Sequence, residues 1–367
     1  MQLLGGIRVL DLSQYLPGPF ATRMLADMGA DVVKVEPPGG EPGRTLDTGN
    51  MVGVSPYYNI INAGKRVIEL DLKADADRAR LEALVATADV LLESFRPGVL
   101  DRLGVGEQRL KSLNPRLIHC ALSGWGQTGP LRLAAGHDLN YEALTGTLAS
   151  TGTSETPVIP FPPMADHAGA LMAVIAVLGA LAARVNGAGG AYLDVGLADS
   201  CLSLQELAFA FEARRGRGLL SGGAACYQIY RTADDRFVTL SALEPKFWRN
   251  FCTAVAHPQW IEQQYQPLPQ TTLIAELKVL FASQPLAHWE ALLPEADCCY
   301  LAVIEHADIP THPHVAARGL VSPQPDYTEI LFPVHVDGEA PSPRQRVQFI
   351  DPQAALTAWG ASPVAAS

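Results

Sequence analysis

The chain has 367 residues, 48% of them hydrophobic and 18% charged, which excludes a disordered protein and suits two domains rather than one. Against 38 Asp and Glu stand 27 Lys and Arg, a net charge of −11, so neither a nucleic acid nor an anionic membrane surface is an expected partner. Its six cysteines show no CxxC spacing, so neither a disulfide framework nor a metal site is expected; with no apolar leader before a cleavage site, they predict a reduced, cytoplasmic setting.

In chain order, IRVLDL (7–12) reads as a buried strand, PGPFATRMLADMG (17–29) as a helix and DVVKVE (31–36) as the next strand. RARLEALVATA (78–88) is a helix, DVLLESF (89–95) a strand and RLIHCAL (116–122) another. Apolar strands alternating with helices predict an α/β fold, a parallel sheet covered on both faces. Such sheets bind ligands beyond the carboxyl ends of their strands, so the residues following each strand are the first candidates. The apolar run at 168–183 reads as a core helix, since it is bracketed by Asp166-His167 and Arg184 and is short for a membrane span. A strand and helix follow at 192–211. The glycine-rich stretch 214–225 reads as a linker, which divides the chain into a large domain (1–213), a small domain (226–320) and a C-terminal segment (321–367).

A β-α-β start ending in Glu36 raises the possibility of dinucleotide binding. The first strand, however, runs into SQYLPGPF, without the glycines that let a pyrophosphate approach a helix N-terminus. Basic residues near strand ends are the alternative anchors: Lys34, Arg44, the Lys65-Arg66 pair, and Arg96 in SFRPG. Together they could hold the phosphates of a nucleotide-like ligand, whereas any one of them alone reads as a solvated surface charge. The loop LSGWGQTGP, with Gly124 at its start, allows backbone to approach a bound chain. Gly136-His137-Asp138 opens a helix whose free amides, that of Asp138 among them, suit a developing enolate oxygen; taken alone, the segment reads rather as an ordinary first-turn histidine with Asp138 as its cap. Asp166 stands at the mouth of the long apolar helix and Glu244 just before Pro245, both of them also capping positions. With no nucleophile elbow and no phosphate loop, acid–base or carboxylate-nucleophile chemistry remains.

Taken together, GIRVLDLSQYLPGPFATRMLADMGADVVKVEPPGG, NAGKRVIELDLK, ESFRPGVLDRLG, NPRLIHCALSGWGQTGP and GHDLNYEALTG resemble the family III CoA-transferases of CaiB/BaiF type. GHD at 136–138 and LEPKFW at 243–248 resemble the α-methylacyl-CoA racemase branch. The resemblance implies a Rossmann-like large domain, a smaller α+β domain, and an interlocked homodimer whose site lies between one chain's large domain and its partner's small domain. It implies an acyl-CoA substrate with no permanently bound cofactor. His137 and Asp166 would then be the two acid/bases that invert the α-carbon of a 2-methylacyl-CoA, with Glu244 supporting the histidine. Asp138 would face the thioester oxygen, and Lys34, Arg44, Lys65, Arg66, Arg96, Gly124 and Tyr141 would contact CoA. The alternative is a CoA-transferase that forms an aspartyl-CoA anhydride on Asp166. Pro162 stands where the racemases carry asparagine, four residues before the aspartate, which removes one expected polar contact near the thioester.

Overall fold

The computed structural model describes residues 2–46, 54–211, 214–325 and 327–362. These form two compact units, one built from 1–144, 162–203 and 312–367, the other from 145–161 and 204–311.

The first unit is organised by a seven-stranded sheet. Its strands are β1 (Arg8–Leu12), β2 (Asp31–Glu36), β3 (Arg66–Glu69), β4 (Val90–Glu93), β5 (Ile118–Ser123), β6 (Ala191–Gly196) and β12 (Gln348–Phe349). Their order is β12-β3-β2-β1-β4-β5-β6, and every pairing is parallel. The expected strands are present with ends shifted by one or two residues. Their continuous apolar runs arise because both faces are covered: Val9, Leu10, Val33, Leu91 and Leu92 are all fully buried. Each such side chain contributes roughly 1.5–3 kcal/mol by leaving water.

Helices α1 (Pro17–Asp27), α2 (Pro56–Asn62), α3 (Asp75–Thr87), α4 (Val99–Arg102), α5 (Glu107–Leu113), α6 (Asp138–Thr145), α7 (Thr147–Ser150) and α8 (Met164–Val185) follow in chain order. α8 has 22 residues, six more than the apolar run suggested, and by length and composition alone it could cross a membrane. Ala165, Ala170, Ala173 and Val177 on one of its faces are instead buried in the core with Val9, Leu92 and Cys120 of the sheet. The other sheet face carries Leu81 and Leu84 of α3 and Leu356 and Trp359 of the helix Pro352–Trp359. The strand order reverses between β1 and β4, which creates a crevice at the carboxyl ends of those strands.

The second unit holds a three-stranded antiparallel sheet of β7 (Tyr227–Arg231), β8 (Phe237–Ser241) and β9 (Tyr300–Ala302). Helices Pro245–Ala254, Thr271–Phe281 and Leu286–Leu292 accompany it. Its core is aromatic, with Phe281 stacked on Tyr230 at 4.8 Å and tilted against Trp289 at 5.0 Å. Ala224 and Ala225, at the end of the expected linker, are buried in this core. A two-stranded antiparallel ladder that belongs to the first unit, β10 (Val321–Pro323) with β11 (Thr328–Ile330), completes the described strands.

Candidate active site

A cleft of about 230 Å³ opens where the strand order reverses, and every residue lining it belongs to the first unit. Gln14 and Tyr15 reach it from the end of β1, Ser94, Phe95 and Arg96 from the end of β4, and Gly124 and Trp125 from the end of β5. His137, Tyr141 and Asp166 line the same cleft from α6 and α8. Tyr15 is a non-glycine residue at φ 62°, and its N–H donates to Glu41 Oε2 at 2.9 Å, which holds this strained loop in place.

Asp166 is the third residue of α8, and its carboxylate does not cap that helix. The helix amides are taken by α6 instead: Asp138 Oδ1 accepts the Asp166 N–H at 3.0 Å, and Glu142 Oε1 accepts that of Met164 at 3.1 Å. Burial, with Asp138 and Glu142 adding their negative charge, pushes the Asp166 carboxyl up to about 7. A group poised there is populated in both protonation states at neutral pH, the condition for efficient proton transfer.

His137 is exposed, immediately precedes α6, and receives the Asn140 N–H on its carbonyl at 2.8 Å. The adjacent Asp138 amide, in the first turn of α6, has no acceptor among the described residues, and Asp138 itself is not among the residues lining the cleft. Tyr141 is clamped. Its hydroxyl donates to the Gly136 carbonyl at 2.7 Å and its ring packs edge-on against Trp125 at 4.7 Å. Gly124 is required for this, because a Cβ there would lie 2.2 Å from the Tyr141 hydroxyl oxygen. Burial and the Asp166 charge push that phenol up to about 12, with Arg96 pulling the other way.

Of the five basic residues expected to hold phosphates, only Arg96 lines the cleft, and its guanidinium has no hydrogen bond or ion pair among the described residues. Lys34 and Lys65 require correction as CoA contacts. Both are buried, at 0% and 1% exposure. Lys65 Nζ donates to Asp11 Oδ2 at 2.9 Å, the Pro19 carbonyl at 2.9 Å and Asn62 Oδ1 at 2.8 Å; Lys34 Nζ donates to the Ser13 carbonyl at 2.6 Å. Burial alone would raise the Asp11 carboxyl, yet the two ammonium groups and the Ser13 and Thr22 hydroxyls hold it well below the usual range. This network braces the loop from β1 into α1. Arg44 is tied to Glu36 at 2.7 Å and Glu69 at 2.9 Å, and Arg66 to Asp31 at 2.5 Å; neither lines the cleft. Glu244 is exposed at the N-cap of Pro245–Ala254 in the second unit, and its side chain makes no capping hydrogen bond. Pro162 is exposed two residues before α8.

Residues 4–347 match the model of CoA-transferase family III. The chain belongs to this family. It is 34% identical to human alpha-methylacyl-CoA racemase over 325 residues, covering 86% of this chain and 81% of that protein. It is 32% identical to acetyl-CoA:oxalate CoA-transferase of Acetobacter aceti over 366 residues, covering 95% and 93%. The crystal structure of a CAIB/BAIF family protein from Brucella suis superimposes with a TM-score of 0.84 at 26% identity, over 97% of this chain and 98% of that one. This family contains enzymes named for both isomerisation and group transfer on CoA thioesters.

The sequence reading missed Glu142, although a signal for it was present. Asp138 and Glu142 are four residues apart at the start of a helix, a like-charge spacing that costs energy unless something uses it. Tyr57, whose phenol is raised by burial and by the charges of Glu41 and Asp166, had no comparable signal.

Proposed function

We propose that this protein is an acyl-CoA racemase that inverts the α-carbon of a 2-methylacyl-CoA. The observation carrying the reading is that His137 and a carboxyl group poised near neutrality, Asp166, open onto one cleft. The thioester acidifies the α-hydrogen. One of the two groups removes that proton from one face, and the other returns a proton to the opposite face. The Asp138 amide and the α6 N-terminus stabilise the enolate oxygen between these steps. Arg96 holds a CoA phosphate, and Tyr141, fixed by Gly124 and Gly136, shapes the wall beside the acyl group. A homodimer and a cytoplasmic setting belong to the same proposal, with Glu244 reaching His137 from a second copy. Exposed apolar side chains support an assembly: Ile175 on α8 is 60% exposed, and Phe209 and Phe211 are 74% and 70% exposed.

Incubation of one enantiomer of a 2-methylacyl-CoA in deuterated water tests the reading. Deuterium should enter the α-position as the enantiomers interconvert, and His137→Ala and Asp166→Ala should each abolish interconversion. A second reading, CoA transfer to a carboxylic acid through an anhydride on Asp166, is favoured by the near full-length match to the oxalate transferase. It predicts that a second acid is required, that His137→Ala retains much activity, and that hydroxylamine traps an adduct on Asp166 during turnover. Transfer of CoA with no α-deuteration of any 2-methylacyl-CoA would replace the first reading by the second.

A further inference from the structure

The chemistry proposed for Asp166 requires its carboxyl group to gain and lose a proton near neutral pH, and the groups that govern this lie on α6. Asp138 and Glu142 are one helical turn apart and project from the same face. Glu142 is 0% exposed. One of its oxygens accepts the Met164 N–H at 3.1 Å, which sets its carboxyl group beside that of Asp138, four residues earlier on the same helix face. Asp138 in turn accepts the Asp166 N–H at 3.0 Å. Two ionised carboxylates are acceptors only and repel each other, so a proton held by one of them would turn the pair into a hydrogen bond. The acid side chains therefore form a chain from the interior to the cleft, anchored at two points on the first turn of α8.

We propose that Glu142 is a positioning residue: it holds a proton against Asp138, fixes the first turn of α8, and thereby sets the charge state of Asp166. The proposal rests on the acid–base role of Asp166 and extends it by naming the residue that controls that role. Burial and the neighbouring Asp138 carboxyl push the Glu142 carboxyl up to about 7. The charged and titratable groups around the pair are Asp138 on its own helix, Asp166 on α8, Tyr57 and Tyr141 within the field of Asp166, and His137, Arg96 and Arg132, which line the cleft onto which Asp166 opens. When Glu142 loses its proton, its charge opposes ionisation of Asp166, so the two groups titrate as a coupled pair.

Glu142→Gln and Glu142→Leu in the full-length protein separate this from a purely structural role. Glutamine keeps an oxygen for the Met164 N–H and an amide to donate to Asp138, but it never carries charge. Leucine can do neither. The titration of Asp166 is read by carbon NMR of protein labelled at aspartate carboxyl carbons, with Asp166→Asn assigning the signal. The Asp166 midpoint should fall by on the order of one pH unit in Glu142→Gln. The acid limb of the kcat/KM profile for α-deuteration should move down with it. Glu142→Leu should lose about ten-fold or more in kcat, and glutamine at the same position should restore most of it. An Asp166 midpoint unmoved by glutamine, or equal kcat losses in the two variants, overturns the proposal. A wild-type protein that deuterates no acyl-CoA refutes the proposed function, while the NMR midpoint still decides the role of Glu142.

Discussion

Asp166→Asn should make the protein more stable above neutral pH while ending its chemistry. Asparagine imitates the neutral acid in shape and cannot ionise beside Asp138 and Glu142. The native carboxyl is pushed up to about 7, whereas an aspartate in the unfolded chain titrates near its ordinary value of about 3.9. The folded state therefore binds more protons than the unfolded state between these limits. Its contribution is fully present below about pH 4 and is lost as the pH rises through about 7. At ~1.36 kcal/mol per unit, the full shift corresponds to about 4 kcal/mol. The carboxyl is only partly buried, so screening reduces the working expectation to about 2 kcal/mol. Urea unfolding of both proteins at pH 4 and pH 8 measures it: the curves should nearly coincide at pH 4, and the variant should be the more stable at pH 8. A difference that stays constant across this range would refute the claim that burial and neighbouring carboxylates raise Asp166.

Arg96→Ala should raise KM for an acyl-CoA by ~10- to 150-fold with little change in kcat, equivalent to losing about 1.5–3 kcal/mol of charge-assisted hydrogen bonding; unchanged affinity in a titration with CoA would remove Arg96 from the phosphate site. Lys65→Met should cost about 3–5 kcal/mol of stability, because it leaves Asp11 short of its nearest buried counter-charge. Adding Asp11→Asn should recover part of that loss in denaturant titrations, and a purely additive double variant would show that the network does not couple these groups.

The strands of the large unit were legible because burial on both faces writes an unbroken apolar run into the sequence, as in RVLDL and VVKVE. The same runs misled the reading of the lysines. Lys34 interrupts the valines of β2, and its partners, the Ser13 carbonyl and Glu41, lie outside the strand. A cation inside an apolar strand signals a buried partner, but the partner's identity depends on strand order, which local patterning does not encode. Lys65 meets Asp11 across 54 positions of sequence. Capping at α8 was inverted for a related reason. Helix-end patterns predict that a carboxylate near an N-terminus serves its own helix, whereas here carboxylates from α6, 22 and 28 positions away, take the amides and leave Asp166 available. The inclusion of 145–161 in the second unit left no trace in composition, since it reflects packing rather than residue type.

The shape of the pH–rate profile discriminates between the two chemistries, because each asks something different of Asp166. A carboxylate that attacks a thioester works only as the anion, so a transferase rate should climb as the pH rises through about 7 and then level off. Inversion at carbon needs one group with its proton and the other without, and the roles exchange when the opposite enantiomer is the substrate. The active protonation state is then lost on both sides, and kcat/KM should be bell-shaped. For the enantiomer whose proton leaves to Asp166, the acid limb should follow Asp166; for the mirror-image substrate, the alkaline limb should. The limbs are macroscopic constants of a coupled set, so the decisive comparison is between variants rather than absolute midpoints. Glu142→Gln should move the Asp166 limb downward for both enantiomers and leave the other limb in place. A rate that rises to a plateau in both directions, with no alkaline fall, would exclude two-base inversion and make Asp166 a nucleophile.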